Sequence, residues 1–189
     1  MLGRRIMALV RSVLFPVGMA VGFAVVAAEE PVELTSSSRE VPERGRLQAA
    51  TMIQGKERSS FIVPAGWRMG LETQSGAILL QSAESQGLIE IRRMPLPEGG
   101  ADWARLREQI LGADSIRERQ GEYEWMGAAC RSYIFDTKET TTNNQRLQKR
   151  ICLMLRENHI LLVSLTVREQ AFASCLRAYE IVLASLRQE

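Results

Sequence analysis

The sequence contains few of the residues from which catalytic and metal centres are built. It has one histidine, His159, and three cysteines among 189 residues, which are too few ligands for a zinc site. It also lacks the G-x-S-x-G, P-loop and G-x-G-x-x-G patterns of nucleophile elbows and nucleotide-binding loops. His159 falls at a predicted turn, where exposed polar side chains are common. The sequence therefore predicts no catalytic residue, no metal and no cofactor, and it favours a protein that is not an enzyme.

Lysine is scarce as well, and neither sign of charge is in excess. The 24 basic residues face 22 acidic ones, and the only lysines are Lys56, Lys138 and Lys149. Residues 1–28 contain three arginines and no acid, which leaves 21 basic and 22 acidic residues in the rest of the chain. A nucleic-acid-binding surface needs a clustered basic excess, so we expect no nucleic-acid partner.

The first 28 residues have the three parts of a secretory signal peptide. Arg4 and Arg5 precede an apolar run over residues 13–26, and Ala28 offers a small residue for cleavage. No cysteine follows the run, which excludes the acylation site of a bacterial lipoprotein. We therefore predict a periplasmic or secreted protein from which the signal peptide is removed. The alternative is an N-terminal membrane anchor, although the ion-free span is only about 17 residues, the short limit for crossing a bilayer.

Residues 29–58 differ in composition from the residues on their C-terminal side. They are rich in serine, proline, glycine and alternating charges, and they hold few large apolar side chains. Such a segment buries too little surface to offset its ordering entropy. We predict a flexible linker, within which residues 47–53 could form a short helix or an edge strand.

From residue 59 onward the chain has the pattern of short strands separated by turn residues. The predicted elements are strands over residues 61–63, 67–71, 77–80, 88–92 and 128–136, a helix over 102–112, and a polar loop over 137–145. Residues 115–126 are strongly charged and predict a hairpin or an edge strand around Gly121.

The stretch over residues 147–186 is the most apolar part of the chain after the signal segment. Residues 147–167 predict a hairpin broken at Asn158-His159, whose second strand is apolar on both faces and therefore central. The last helix carries its apolar residues at the spacing of a core-facing stripe: Phe172, Leu176, Tyr179, Val182, Leu183 and Leu186. The fold class is α+β, an antiparallel sheet with helices packed on its faces, in one domain over residues 59–189.

The string FIVPAGW at residues 61–67 and the closing SLR at residues 185–187 resemble the PsbP-like superfamily, which includes the Mog-type proteins. The resemblance covers residues 59–187. It implies a sheet sandwiched between helices, and it implies action by binding other proteins rather than by catalysis. No functional residue of that superfamily carries over to a position in this chain.

The cysteines matter because an exported protein meets an oxidising compartment. If the loop between the strands at 128 and 150 is centred near Thr141, Cys130 lies directly opposite Cys152, within reach of a disulfide. The alternative is three buried thiols. Cys175 lies beside the inward stripe of the last helix, as unpaired cysteines commonly do.

Two further sets of residues are candidates for contact with a partner. Arg92, Arg93, Arg146, Lys149 and Arg150 could form a basic patch for an anionic partner, against the alternative of scattered surface charge. Trp67, Trp103 and Trp125 could line an apolar cleft between helix and sheet, although Trp103 also suits an amphipathic helix docked on a sheet.

The function that these features favour is an exported, non-catalytic protein-binding or accessory module of the cell envelope. Its partner would be another envelope or secreted protein, with the membrane involved only through an uncleaved signal segment. The alternative is a carrier of a small ligand or lipid in the apolar cleft.

Overall fold

The computed structural model describes residues 31–41, 45–97, 106, 110, 115–125, 128–141 and 144–188. The described strands are β1 (Val32–Val41), β2 (Gly45–Gln54), β3 (Glu57–Val63), β4 (Trp67–Glu72), β5 (Ala77–Ser82), β6 (Leu88–Pro95), β7 (Ser115–Trp125), β8 (Ala128–Thr140), β9 (Arg146–Leu155), β10 (His159–Arg168) and β11 (Arg187–Gln188). A 3₁₀ turn at Glu169–Ala171 leads into the helix α1 (Phe172–Ser185).

The strands form two antiparallel sheets. The four-stranded sheet has the order β1-β2-β3-β11, and the seven-stranded sheet has the order β4-β5-β6-β10-β9-β8-β7. The strand β10 is the middle strand of seven, and residues 160–165 of it are buried. A strand buried on both faces must be apolar throughout, so the prediction of a central strand is confirmed.

The prediction of a linker over residues 29–58 is wrong for the described part of that segment. The strand β1 pairs with β2 along its whole length, from Val32 opposite Gln54 to Val41 opposite Gly45. In turn β2 pairs with β3, which makes β2 an interior strand. Ala50 and Met52 are fully buried because alternate side chains of β2 point into the core. Pairing with β3, rather than local apolarity, therefore orders this segment.

The turn between β3 and β4 has the geometry that its sequence predicts. The Trp67 amide donates to the Pro64 carbonyl (3.1 Å), and Gly66 has φ +79°. This is a type II turn, in which the third residue needs the positive φ that glycine adopts without strain. The turn sends the chain from the four-stranded sheet to the edge strand of the seven-stranded sheet.

The inner face of the seven-stranded sheet packs against the four-stranded sheet and α1. One core cluster combines Met52 and Phe61 of the smaller sheet, Ile91 and Val163 of the larger sheet, and Tyr179 of α1. The predicted stripe of α1 is largely confirmed: Phe172, Cys175, Ala178, Tyr179, Val182 and Leu183 are buried. Leu176, which the stripe includes, is only partly buried, and Cys175 takes the inward position instead.

The outer face of the seven-stranded sheet carries a second, smaller core cluster. The helical residue Leu106 is 2% exposed and packs with Ile151, Leu153, Ile160 and other apolar residues of β8–β10. The architecture is thus two antiparallel sheets with one described helix at the C-terminus, an α+β fold. The predicted helix over 102–112 lies outside the described residues apart from Leu106 and Ile110.

The charged segment after residue 114 forms one continuous strand. It spans Ser115–Trp125 and lies at the edge of the seven-stranded sheet, next to β8. Of the two predicted alternatives, the edge strand is right and the hairpin around Gly121 is wrong. Alternating charges suit an edge because they discourage pairing with another chain.

The predicted register between β8 and β9 is wrong by four positions. Cys152 lies opposite Ile134, and Cys130 lies opposite Tyr123 on the other side of β8. A shift of four residues is about 13 Å along a strand, whereas bridged cysteines have Cα atoms within about 7 Å. The structure therefore does not bring Cys130 and Cys152 together, and Cys152 and Cys175 are buried thiols.

Candidate functional site

Polar residues from both sheets meet at one end of the sandwich, where an apolar core is interrupted. Glu57 and Ser59 lie on β3, Arg93 lies on β6, and His159 is the first residue of β10. We call these four residues the inter-sheet cluster. Ser59 is opposite the buried Met52, so alternate residues of β3 bring Ser59 and Glu57 to the inner side. The cluster forms a polar contact between the two sheets.

Arg93 is the centre of the inter-sheet cluster. Its side chain is 8% exposed, and Nη2 donates to Ser59 Oγ at 3.0 Å. Its Nη1 donates to the Gln54 carbonyl at 3.4 Å and lies 3.3 Å from Glu57 Oε2. Burial lowers the pKa of the Arg93 guanidinium and the Glu57 carboxylate raises it. Since arginine stays protonated in proteins, the side chain is a buried cation that ties β6 to β2 and β3.

His159 completes the inter-sheet cluster, and it is not the exposed turn residue that the sequence predicts. Its side chain is 12% exposed, and Nδ1 lies 3.4 Å from Glu57 Oε2. Burial lowers the pKa of the imidazole, Glu57 raises it, and the cations of Arg93 and Arg156 lower it further. At neutral pH the ring is therefore neutral. Its partner is a carboxylate shared with Arg93, an arrangement that holds two sheets together.

Arg150, a member of the predicted basic patch, is engaged inside the fold. Its Nε and Nη2 donate to the two carboxylate oxygens of Asp136 at 2.6 and 2.7 Å. Both side chains are nearly buried, and the guanidinium lies 5.4 Å from the ring centre of Phe172. The hydrogen bond to Asp136 raises the pKa of Arg150. This pair joins β8, β9 and the start of α1, and it offers no free charge to a partner.

The five basic residues do not form one patch, because strand alternation divides them between the two faces. Arg93 and Arg150 share the inner face with Ile91 and Cys152, whereas Arg92 and Lys149 lie on the outer face. Arg146 is 77% exposed and lies 3.9 Å from Glu169, which also pairs with Lys138. The alternation of apolar and polar residues along β6 and β9 is visible in the sequence, and it predicts that neighbouring basic residues lie on opposite faces of the sheet.

The three tryptophans are not assembled into one cleft. Trp67 is on β4 and Trp125 is on β7, the two edge strands of the seven-stranded sheet. Six strand spacings separate them, a path of about 29 Å along the sheet. Trp103 lies outside the described residues. The ligand cleft that the tryptophans suggested is therefore not formed by Trp67 and Trp125.

Trp67 instead borders a tight contact that the sequence did not indicate. A Cβ atom at Gly87 would lie 2.9 Å from Cys175 Sγ and 3.1 Å from Trp67 Cη2. Cys175 Sγ is also 2.9 Å from Ser85 Oγ. Glycine at position 87 is what allows α1 to approach the β5–β6 turn so closely. The Cys175 thiol thus serves packing between α1 and the sheet.

Other kinds of site are scarce within the described residues. There, no group of three or more histidine, cysteine or acidic side chains is arranged to hold a metal ion. Among the same residues, no helix is long and apolar enough to cross a membrane. A shallow open depression lies beside Ser36, Ser37, Ser38 and Gln48 on the four-stranded sheet. The signal peptide predicted over residues 1–28 lies outside the described part of the chain.

No family model matches the chain, and no curated protein matches it either. Among solved structures, LpqN of Mycobacterium tuberculosis, a protein involved in cell envelope biogenesis, is 10% identical with a TM-score of 0.51, over 83% of this chain and 91% of LpqN. Cyanobacterial PsbP (CyanoP) from Synechocystis sp. PCC 6803 is 9% identical with a TM-score of 0.49, over 88% of this chain and 97% of CyanoP. PA94 of Pseudomonas aeruginosa, a protein of unknown function, is 13% identical with a TM-score of 0.43, over 77% of this chain and 91% of PA94.

At these identities the comparisons bear on the fold and on nothing finer. LpqN matches most of both chains, and the order of strands followed by a closing helix is the one that the strings at residues 61–67 and 185–187 led us to expect. The chain shares the fold of LpqN.

Proposed function

We propose that this protein is exported and acts as a non-catalytic protein-binding or accessory module of the cell envelope. The observation that carries the proposal is the fold shared with LpqN, a protein involved in cell envelope biogenesis. The secretory signal predicted over residues 1–28 supports the same compartment. Its partner is another envelope or secreted protein.

The positions of the reactive side chains support a binding role. His159 and Arg93 are used to join the two sheets, and the Cys175 thiol packs α1 against the β5–β6 turn. Each of these groups stabilises the fold, because the contacts described above join it to other residues of the core or of the sheets. Function then resides on the surfaces that this core holds in place.

The surface that best suits a partner is the outer face of the seven-stranded sheet. Arg92 and Lys149 remain there from the predicted basic patch, on either side of β10. The Arg92 side chain is 37% exposed and lies 3.6 Å from Glu90. A partly exposed ion pair at this distance contributes little to stability, so Arg92 can exchange Glu90 for a carboxylate of the partner at small cost.

The test combines localisation with cross-linking in the cell. The protein should fractionate with the envelope or the medium, and its N-terminus should begin near residue 29. A photo-reactive amino acid at position 149 should give a defined cross-linked protein, and one at Ala173, exposed on α1, should not. In the chain that carries the photo-reactive amino acid at position 149, Arg92→Glu should sharply reduce the product by reversing the remaining charge of the surface.

A matched control is Arg177→Glu, which reverses an exposed charge on α1 and should leave the cross-link unchanged. A cytosolic protein with an intact N-terminus would contradict the export. Equal cross-linking from positions 149 and 173, or a product that Arg92→Glu leaves unchanged, would contradict the outer face as the contact surface.

A further inference from the structure

The strand β1 leaves one edge of the four-stranded sheet open among the described strands. It is ten residues long and pairs without a break along its other side with β2. The side chains of residues 35–38 are exposed. An edge of this length presents a row of backbone donors and acceptors that can pair with another strand.

Three of the usual protections of an edge strand, a proline, a lysine and a bulge, are missing from β1. Its sequence, VELTSSSREV, contains no proline and no lysine, and its register with β2 shows no bulge. In β7, the charged edge of the other sheet, a register shift occurs between Ser115 and Arg117. Natural proteins use such devices against edge-to-edge association, so their absence from β1 indicates an edge kept available for pairing.

We propose that β1 pairs with β1 of a second copy of this chain, antiparallel across a two-fold axis at Ser36. The backbone groups of successive residues in a strand point alternately to its two sides. Two identical edges can therefore pair only if odd-numbered residues lie opposite odd-numbered residues and even-numbered residues lie opposite even-numbered ones. This condition places the two-fold axis at a residue and not between two residues. The pairing joins the four-stranded sheets of the two copies into one eight-stranded sheet.

Charge complementarity selects Ser36 among the available registers. With the axis at Ser36, Glu33 of each copy lies opposite Arg39 of the other, and Thr35 lies opposite Ser37. Moving the axis to Thr35 or Ser37 places Glu33 opposite Ser37 or Val41, without an opposite charge. Opposite charges directly across a ladder are stabilising and like charges are destabilising. Two-fold symmetry makes the favourable pair occur twice.

The experiment measures the oligomeric state of protein expressed from the full 189-residue sequence and purified, by sedimentation equilibrium over a range of concentrations. The wild type should form a dimer in the micromolar range. Glu33→Arg and Arg39→Glu should each weaken the dimer by about tenfold, because each creates two like-charge pairs. The double variant Glu33→Arg/Arg39→Glu restores opposite charges at both positions and should restore the dimer.

The control is Glu84→Arg, which makes the same change of charge at an exposed residue of the β5–β6 turn and should leave the dimer intact. A wild type that stays monomeric, or a double variant that dissociates like the single ones, would overturn the proposal. Circular dichroism of each variant ensures that the comparison is made on folded protein. The result is independent of the proposed function, since β1 lies on the smaller sheet and the partner surface of Arg92 and Lys149 lies on the larger one.

Discussion

Single residues join the two sheets of this protein, and Arg93 does so most directly. Its guanidinium contacts the Gln54 carbonyl, the Glu57 carboxylate and the Ser59 hydroxyl of the opposite sheet while it is 8% exposed. Removing one partner of a buried ion pair leaves the other partners poorly satisfied. Removing Arg93 should therefore destabilise the protein by more than the net free energy that the contact contributes to folding.

We expect Arg93→Ala to lower the free energy of unfolding by about 2 kcal/mol. The value lies below the cost for a fully buried pair because Glu57 is 34% exposed and regains some water. Urea unfolding measures the change. The control is Arg92→Ala, the same residue type one position earlier, whose partly exposed pair with Glu90 predicts a smaller change, within about 1 kcal/mol. Equal losses for the two variants would contradict the assignment of Arg93 to the interior.

His159 makes the stability depend on pH in a direction that its surroundings determine. Its folded pKa lies below the ordinary value, first because of burial and then because of Arg93 and Arg156, with Glu57 opposing them. Between the unfolded and the lowered folded pKa, only the unfolded chain binds the proton. Acidification through this window therefore favours unfolding, and the contribution of the neutral ring is complete only above the unfolded pKa.

We accordingly expect the wild type to lose more stability than His159→Gln between about pH 7 and about pH 5. Glutamine keeps a polar group of similar reach but does not titrate. Urea midpoints at a series of pH values measure the two slopes. Because His159 is the only histidine, a difference in slope belongs to this ring. Parallel slopes would show that the imidazole titrates alike in both states.

At the scale of elements, most strands could be predicted and their partners could not. The apolar runs of β3, β5, β6 and β10 are visible because they are buried. Polarity predicts a loop over residues 137–145, whereas β8 continues through the polar residues 137–140 to Thr140, which shifts its register with β9. Asn144 adopts φ +57° there, and the Thr141 amide donates to the Gln145 carbonyl. Asparagine tolerates a positive φ better than most residues, so Asn144 indicates the position of the turn better than the polar composition of the segment does.

The contact of α1 with the β5–β6 turn depends on the small size of Gly87. We expect Gly87→Ala to cost about 1–3 kcal/mol, because the added methyl would collide with Cys175 Sγ and Trp67 Cη2. Cys175→Ala removes the nearer obstacle, so the cost of Gly87→Ala should fall by about 1 kcal/mol in that background. A double-mutant cycle by urea unfolding measures this coupling. Additive losses would show that α1 shifts as a whole instead of pressing on the turn.

At the scale of the molecule, the composition of residues 29–58 predicts a linker, whereas the described part of this segment forms paired strands. In β1, Val32 and Leu34 pack against the core and are followed by exposed serines. Nothing local predicts a strand there. Pairing with β2 orders it, and β2 is in turn fixed by Ala50 and Met52 in the core. Such structure arises from long-range pairing, which a single sequence shows poorly.

The two interpretations of this segment predict opposite outcomes for a truncation. A chain that begins at residue 57 lacks β1 and β2, so the inner face of the larger sheet loses its contacts with Ala50 and Met52, and Arg93 loses the Gln54 carbonyl. The loss of one buried methionine alone costs about 2–5 kcal/mol, against a total stability of about 5–15 kcal/mol.

We therefore expect this chain to lose cooperative thermal unfolding and near-ultraviolet circular dichroism and to bind a hydrophobic dye. A chain that begins at residue 29 keeps both strands and should unfold cooperatively, as the matched control. If the two chains unfold with the same midpoint, residues 29–56 are the dispensable linker that their composition predicts, and the four-stranded sheet contributes nothing to the stability of the larger one.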